Sequence, residues 1–172
     1  YADVQTPEKI KQIENLMSTS IPNSEISKIN QNAGNQPVKI SSDTFTVLSC
    51  AKEIAILSDG AFEPTIGNLV ELWNINAIIN DETGEILPQI PSQKQIENAL
   101  SKTDFNQLVL DKENQTAFLT QSGMKLDVGG IAKGYATDCV VKILQEEKIN
   151  RALIDLGGNI YAYGYKNPKE KT

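Results

Sequence analysis

Apolar residues recur at helical spacing near the start of the chain, where Ile10, Ile13, Leu16 and Met17 form one stripe. Thr6-Pro7-Glu8 ahead of them is a helix start: a hydroxyl cap, a proline at the first helical position and an acid in the first turn. Pro22 and Asn23 end this helix. Ser24 to Asn30 reads as a short second helix, closed by the turn formers Asn32, Gly34 and Asn35, and Val38 to Ile40 as a short extended piece. A long helix follows, capped by Ser41 or Ser42 and stopped at Gly60, with Phe45, Leu48, Ala51, Ala55 and Ile56 on its core side. Pro64 to Trp73 has the pattern of a further helix or half-helix.

Residues 74–91 carry Asp81, Glu82, Gly84, Pro88 and Pro91 and read as a surface loop. Ser92 to Gln95 is a capping box that opens a helix through Leu100. The period then changes from helical to alternating. Leu108-Val109-Leu110 and Ala117-Phe118-Leu119 predict a hairpin, and Lys125 to Val128 a third short strand. Ile131 to Gln145 is helical. Ala152 to Leu156 and Asn159 to Tyr163 are two more strands, joined at Gly157-Gly158. Helices gathered first and strands later predict one α+β domain over residues 1–172, with helices packed on a mainly antiparallel sheet.

Composition narrows the chemistry. The 172 residues are enough to bury a core, and a net charge of -6 argues against a binder of nucleic acid, whose phosphates need basic partners. The one charged cluster, Lys166 to Lys171, mixes signs and reads as a solvated end. There is no histidine, which removes Ser/His/Asp and Cys/His catalysis and imidazole-based zinc sites. Carboxylates, hydroxyls, lysines, backbone dipoles or an oxygen-held metal remain. Cys50 and Cys139 sit in apolar helical patterns and read as buried free thiols. No stretch reaches the roughly 20 apolar residues of a membrane helix, and no signal peptide is visible. The chain opens at Tyr1 without a methionine, which suggests a processed or trimmed N-terminus.

Three runs are candidates for a site. In Lys125 to Asp138, a predicted strand meets Gly129-Gly130 and then a helix N-terminus. Glycines let a ligand approach the backbone, and the first-turn N–H groups with the positive end of the helix dipole suit a phosphate or pyrophosphate, with Lys133 adding charge. A purely structural turn, the commoner case, explains the same glycines, and neither the G-x-G-x-x-G nor the G-x-x-x-x-G-K-S/T fingerprint is present. In Ser58 to Trp73, Phe62 and Trp73 can stack on a planar ring and Glu63 can accept from a nucleobase or ribose; core packing is the alternative. In Asp155 to Asn159, a carboxylate leaves a strand beside two glycines, which a tight hairpin explains equally well. The spacing of Asp127, Asp138 and Asp155 names no metal.

Taken together, four segments resemble the ApbE family of FAD:protein FMN transferases. Members carry, in order, S-x-I-S-x-I/L-N, G-A-F-D/E-x-T-I/V-G-x-L-x-x-L-W, D-L/V-G-G-I-A-K-G-Y-A-x-D and A-L-I/V-D/N-L/V-G-G-N. Here these are Ser24 to Asn30, Gly60 to Trp73, Asp127 to Asp138 and Ala152 to Asn159. The resemblance implies an ApbE-like (T-fold-like) α+β domain. It also implies an enzyme that takes FAD and Mg2+, transfers FMN to a threonine hydroxyl of an acceptor protein and releases AMP. It implies cofactor contacts at Ala61, Phe62, Glu63, Gly129, Lys133 and Tyr135, a magnesium ligand in the backbone carbonyl of Ala132, and positioning roles for Asp127, Asp138 and Asp155. An exported enzyme, periplasmic or at the cell surface and anchored in the membrane as a lipoprotein outside this chain, is implied in the same way.

Two departures from the family pattern matter. Where members often carry an aromatic residue over the flavin ring, this chain has Ser20, which is expected to weaken stacking and favour turnover. Members also continue past the last matched segment into an Asp-Pro-x-x-G turn and an Asp-Ala-x-x-Thr motif that complete the magnesium site, and they begin with a strand that this chain lacks. The resemblance therefore predicts an incomplete domain, inactive on its own, with its catalytic residues in the region beyond and with unpaired strand edges. Two other readings stand beside transfer: a FAD pyrophosphatase, with water as nucleophile in the space beside Ser20, and a flavin-binding module without catalysis.

Overall fold

The computed structural model describes residues 6–74 and 90–165. Helix α1 (Thr6–Met17) places Glu8 in its first turn and buries Ile13 and Met17. Removing side chains of this size from water stabilises the fold by about 1.5–3 kcal/mol each. Helix α2 (Glu25–Gln31) is capped by the Ser24 hydroxyl, which accepts from the Ser27 N–H at 3.0 Å. Strand β1 (Val38–Lys39) leads into α3 (Ser42–Leu57), and Ser41, not Ser42, is its cap. The Ser41 N–H and hydroxyl both donate to the Glu25 carboxylate at 2.8 Å, which ties the start of α3 to that of α2.

Helix α4 (Gly67–Trp73) ends on Asn74 in the left-handed conformation, and α5 (Gln93–Leu100) has the expected Ser92/Gln95 capping box. Of the surface loop expected over residues 74–91, residues 75–89 lie outside the described residues, as do residues 166–172 with the mixed-charge cluster. Strands β2 (Leu108–Asp111) and β3 (Thr116–Leu119) form the predicted hairpin, and β1 joins the free edge of β3 in the order β1-β3-β2, antiparallel throughout. Leu108 faces Leu119 and Val38 faces Ala117 across the ladder. Helix α2 packs on β3 and α3 on β2, and the core between sheet and helices is built from Ile26, Ile29, Val47, Leu48, Leu108 and Leu119.

Helix α6 (Gly129–Glu146) runs along α1 and α3 and carries a second small sheet, the hairpin of β4 (Arg151–Leu156) and β5 (Asn159–Gly164). Gly157 and Gly158, with φ of 58° and 88°, make its two-residue turn, a conformation that side chains rarely adopt. Ile154 packs with Val140 and Leu144 of α6. Leu153 and Ile160, on the outward face, are 75% and 66% exposed. The antiparallel part is thus two small sheets rather than one.

Four sequence expectations need correction. Residues 125–128 are not a strand: Lys125 makes a single parallel bridge to Ile66, and the segment is held by separate bonds described below. Helix α6 begins at Gly129, two residues earlier than its apolar period indicates, because glycines carry no periodicity signal. Ile56 is 60% exposed, since the core side of α3 runs through Val47, Leu48, Ala51 and Ala55. Cys139 is buried as expected, whereas Cys50 is exposed.

Candidate functional site

The segment that introduces α6 is fixed from two sides. The Gly67 N–H donates to the Lys125 carbonyl and the Asp127 N–H to the Pro64 carbonyl, both at 2.9 Å. A side chain at Gly67 is excluded by this approach, because its Cβ would lie 2.8 Å from both Cβ and the carbonyl oxygen of Lys125. On the other side, the Asn30 amide pairs with both backbone groups of Leu126. Leu126 and Val128 point into the core, and the chain emerges from it at Gly129 and Gly130, which are exposed.

Neither glycine has a positive φ; they are the first two residues of the helix. The four N–H groups of that first turn are less open than the sequence suggests. Gly129 donates to Asp127 Oδ1 at 2.8 Å, and Ile131 and Ala132 donate to the Val128 carbonyl at 3.0 and 2.8 Å. The Gly130 N–H is the one without an acceptor among the described residues.

The glycines lie on an open cleft of about 660 Å³ between α1, α6 and the β4–β5 turn. Its floor is apolar, with Ile13, Met17, Val128 and Ala136, and its polar lining includes Glu14, Ser20, Asp127, Gly129, Gly130 and Lys133. Lys133 Nζ donates to the Gly157 carbonyl at 3.1 Å, which links the helix to the hairpin turn. Below it, Thr137 donates to the Lys133 carbonyl and accepts from the Asn159 side chain, each at 2.9 Å. An apolar trough with a few polar groups at one end is the usual shape of a small-ligand site. A smaller pocket of about 170 Å³, lined in part by Asn30, Glu71 and Lys125, adjoins it through Thr19, Val70 and Asp127.

Of the residues carried over from the family motifs, Gly129, Ala132 and Lys133 line this cleft, together with Ser20, which stands where members often carry an aromatic residue. Phe62 stands behind the glycines: a Cβ on Gly130 would lie 3.2 Å from its ring. Ala61 is exposed next to it. The Glu63 carboxylate is occupied, accepting from the Thr65 N–H and hydroxyl at 2.8 and 2.7 Å and from the Phe105 N–H at 3.0 Å. Tyr135 lies on the other side of α6, in a groove of about 550 Å³ with Cys50, Ile54 and Tyr161, and its hydroxyl donates to Asp43. Of the three aspartates, Asp127 lines the cleft, Asp138 lies in the Tyr135 groove, and Asp155 accepts from the Gly158 N–H in the hairpin turn at 2.9 Å. Trp73 is 39% exposed at the end of α4.

The described residues place two carboxylates, Glu14 and Asp127, on the cleft that Ala132 also lines. No group of three acidic, cysteine or histidine side chains among them is placed to hold a metal. Magnesium is commonly held by one or two carboxylates together with substrate phosphates and water. This donor set fits an ion that arrives with a phosphate, and is too small to retain one alone. Sequence reasoning missed Asn30 and Asp43, because pairing between a side-chain amide and a distant backbone, or between a tyrosine and an aspartate 92 residues apart, leaves no trace in local pattern. Among the described residues, no helix is long and apolar enough to cross a membrane.

A family model described as the ApbE family matches residues 2–172. A FAD:protein FMN transferase of Klebsiella pneumoniae (strain 342) is 37% identical over 155 residues, covering 90% of this chain and 46% of that protein. One from Treponema pallidum (strain Nichols) is 35% identical over 162 residues, with 91% and 42% covered. The crystal structure of an ApbE protein from Thermotoga maritima superposes with a TM-score of 0.79 at 33% identity, over 91% of this chain and 48% of that one. The chain spans about half the length of the curated relatives it matches.

Proposed function

The chain belongs to the ApbE family, and from that premise we propose that it forms one wall of a flavin transferase site which binds FAD and delivers FMN to a threonine hydroxyl of an acceptor protein, with AMP leaving. The observation that carries this reading is the cleft at the start of α6, where the open Gly130 N–H and the positive end of an 18-residue helix meet Lys133. A diphosphate is an anion, and helix N-termini favour anions both through their free N–H groups and through the dipole. The apolar floor of Ile13, Met17 and Ala136 suits a planar ring system beside that charged end. Asp127 occupies the same helix terminus, so two negative groups would meet there; a cation between them relieves the repulsion, and this is the physical case for magnesium. When bound, the ion would neutralise phosphate oxygens in the displacement at phosphorus.

Incubation with FAD, magnesium and a threonine-bearing acceptor tests the reading. Covalent flavin on the acceptor, in step with AMP release, is the expected result for the longer enzyme of which this sequence matches about half, with little or no turnover by these 172 residues alone. FAD retained with no release of AMP would leave a binding module in place of a transferase. Hydrolysis of FAD to FMN and AMP is the second reading, and the exposed Ser20 on the cleft favours it, because a small side chain leaves space for water where a ring would exclude it. AMP formed without an acceptor identifies that outcome. The proposal extends to an exported, membrane-anchored lipoprotein, periplasmic or at the cell surface, supported by the family resemblance and tested by cell fractionation.

A further inference from the structure

Asn30 does what a neighbouring strand would do. Its Oδ1 accepts from the Leu126 N–H at 2.7 Å and its Nδ2 donates to the Leu126 carbonyl at 3.0 Å, so one side-chain amide satisfies both groups of one peptide position. Leu126 is fully buried, and leaving either group unpaired there would be costly. The residues on either side, Lys125 and Asp127, turn their own backbone groups the other way, to Gly67 and Pro64. The segment is thus held as a strand is held, with a real chain on one side and Asn30 on the other.

This has a consequence at the cleft. The Leu126 carbonyl lies four residues before Gly130 and is the acceptor that a continuing helix would give to the Gly130 N–H. With that carbonyl directed to Asn30, α6 starts at Gly129, and the Gly130 N–H keeps no partner among the described residues. We infer that Asn30 is a positioning residue for this cleft: by fixing the Leu126 peptide it holds the Gly130 N–H open for an anionic ligand. The inference rests on the reading of the cleft as a diphosphate site only for the identity of that ligand.

The test compares Asn30→Asp and Asn30→Ala with the unaltered chain. Asn30→Asp keeps shape and the acceptor for the Leu126 N–H, but at neutral pH its carboxylate faces the Leu126 carbonyl without a donor; once protonated, it donates again. The charged groups facing Asn30 in its pocket are Glu71 from α4 and Lys125 and Asp127 from the connecting segment, while Glu25 of α2 is turned to Ser41. Their own titration is removed by taking the ratio of variant to unaltered chain at each pH. FAD affinity is read from flavin fluorescence between pH 8 and pH 5, with urea midpoints measured alongside. Asn30→Asp is expected to bind about tenfold more weakly at pH 8 and to return to within about twofold at pH 5, whereas Asn30→Ala stays weak at both. A ratio that does not change with pH, or an affinity loss no larger than the fraction unfolded, overturns the inference. If the unaltered chain binds no FAD, the diphosphate reading falls, and Asn30 is judged on the Gly130 amide resonance of the free protein. A shift in Asn30→Asp that reverts on acidification upholds the role; an unmoved resonance ends it.

Discussion

The Tyr135 hydroxyl donates to Asp43 Oδ1 at 2.5 Å, and Lys9 Nζ meets the other carboxylate oxygen at 2.8 Å, so one aspartate joins α1, α3 and α6. Burial pushes the Asp43 carboxyl up, but the hydrogen bonds from Lys9 and Tyr135, with the charges of Lys9 and Lys142, outweigh it and hold the group below its ordinary value. A carboxyl depressed on folding adds stability that is complete above its unfolded pKa and is lost as pH falls through the folded value. Asn at position 43 should therefore flatten the acid limb of the stability profile below about pH 4. Urea midpoints for Asp43→Asn between pH 7 and pH 2.5 check this; an acid limb as steep as that of the unaltered chain refutes it. For Tyr135, burial and the bond to Asp43 raise the phenol, which places its contribution below about pH 10, lost as the phenol ionises. Tyr135→Phe should cost about 1–2 kcal/mol at pH 7.

Gly67 and Gly130 are predicted to respond differently to alanine. At Gly67 the added Cβ would lie 2.8 Å from the Lys125 carbonyl oxygen and 3.0 Å from that of Leu126, and two backbone groups leave little room to yield. Gly67→Ala is expected to destabilise the chain by about 1–3 kcal/mol. At Gly130 the neighbour is the Phe62 ring at 3.2 Å, which can shift, and the helix gains from alanine at a position of negative φ. Gly130→Ala should change stability by less than about 1 kcal/mol and leave FAD affinity within about twofold, because the methyl group is directed at Phe62, which does not line the cleft. Thermal melts and fluorescence titration of the pair check both expectations.

Lys133 is exposed and bonded to a hairpin carbonyl, a contact worth little to stability. Lys133→Ala should leave the melting point nearly unchanged and weaken FAD about five- to tenfold, with the difference shrinking as salt is added. Equal affinity for both proteins at low salt would remove Lys133 from the site.

Cys50 and Cys139 give a test of burial. Cys50 is exposed on α3, and Cys139 is enclosed between α6 and the core. A neutral thiol reagent at pH 8 should label one thiol per native chain promptly and the second only on unfolding. Mass spectrometry of intact and digested protein identifies which.

Much of the fold was legible because helices declare themselves by period and by caps. The Ile10–Met17 stripe, the Ser92/Gln95 box and the Leu108–Leu119 hairpin appear where the pattern places them. Residues 125–128 misled because alternation there reports burial of Leu126 and Val128, which a segment clamped by Asn30 and by residues 64–67 shares with a strand. At the site, the glycine-headed helix was readable, but how many of its N–H groups stay open was not; that depended on where Asp127 and Val128 turn their acceptors. Tyr135 shows the same limit: two residues from Lys133 in sequence, it lies about 200° around the helix and faces a different groove.

Glu63 and Thr65 hold more than their own turn. The Glu63 carboxylate accepts from the Phe105 N–H and the Thr65 hydroxyl from the Asp104 N–H, while Asn68 reaches the Gly123 carbonyl. These bonds fasten the turn ahead of α4 and its first residues directly to the polypeptide beyond α5. Alignment of these two stretches is thus written into side-chain to backbone bonds, and a substitution at Glu63, Thr65 or Asn68 would loosen a join far from its own position in the sequence.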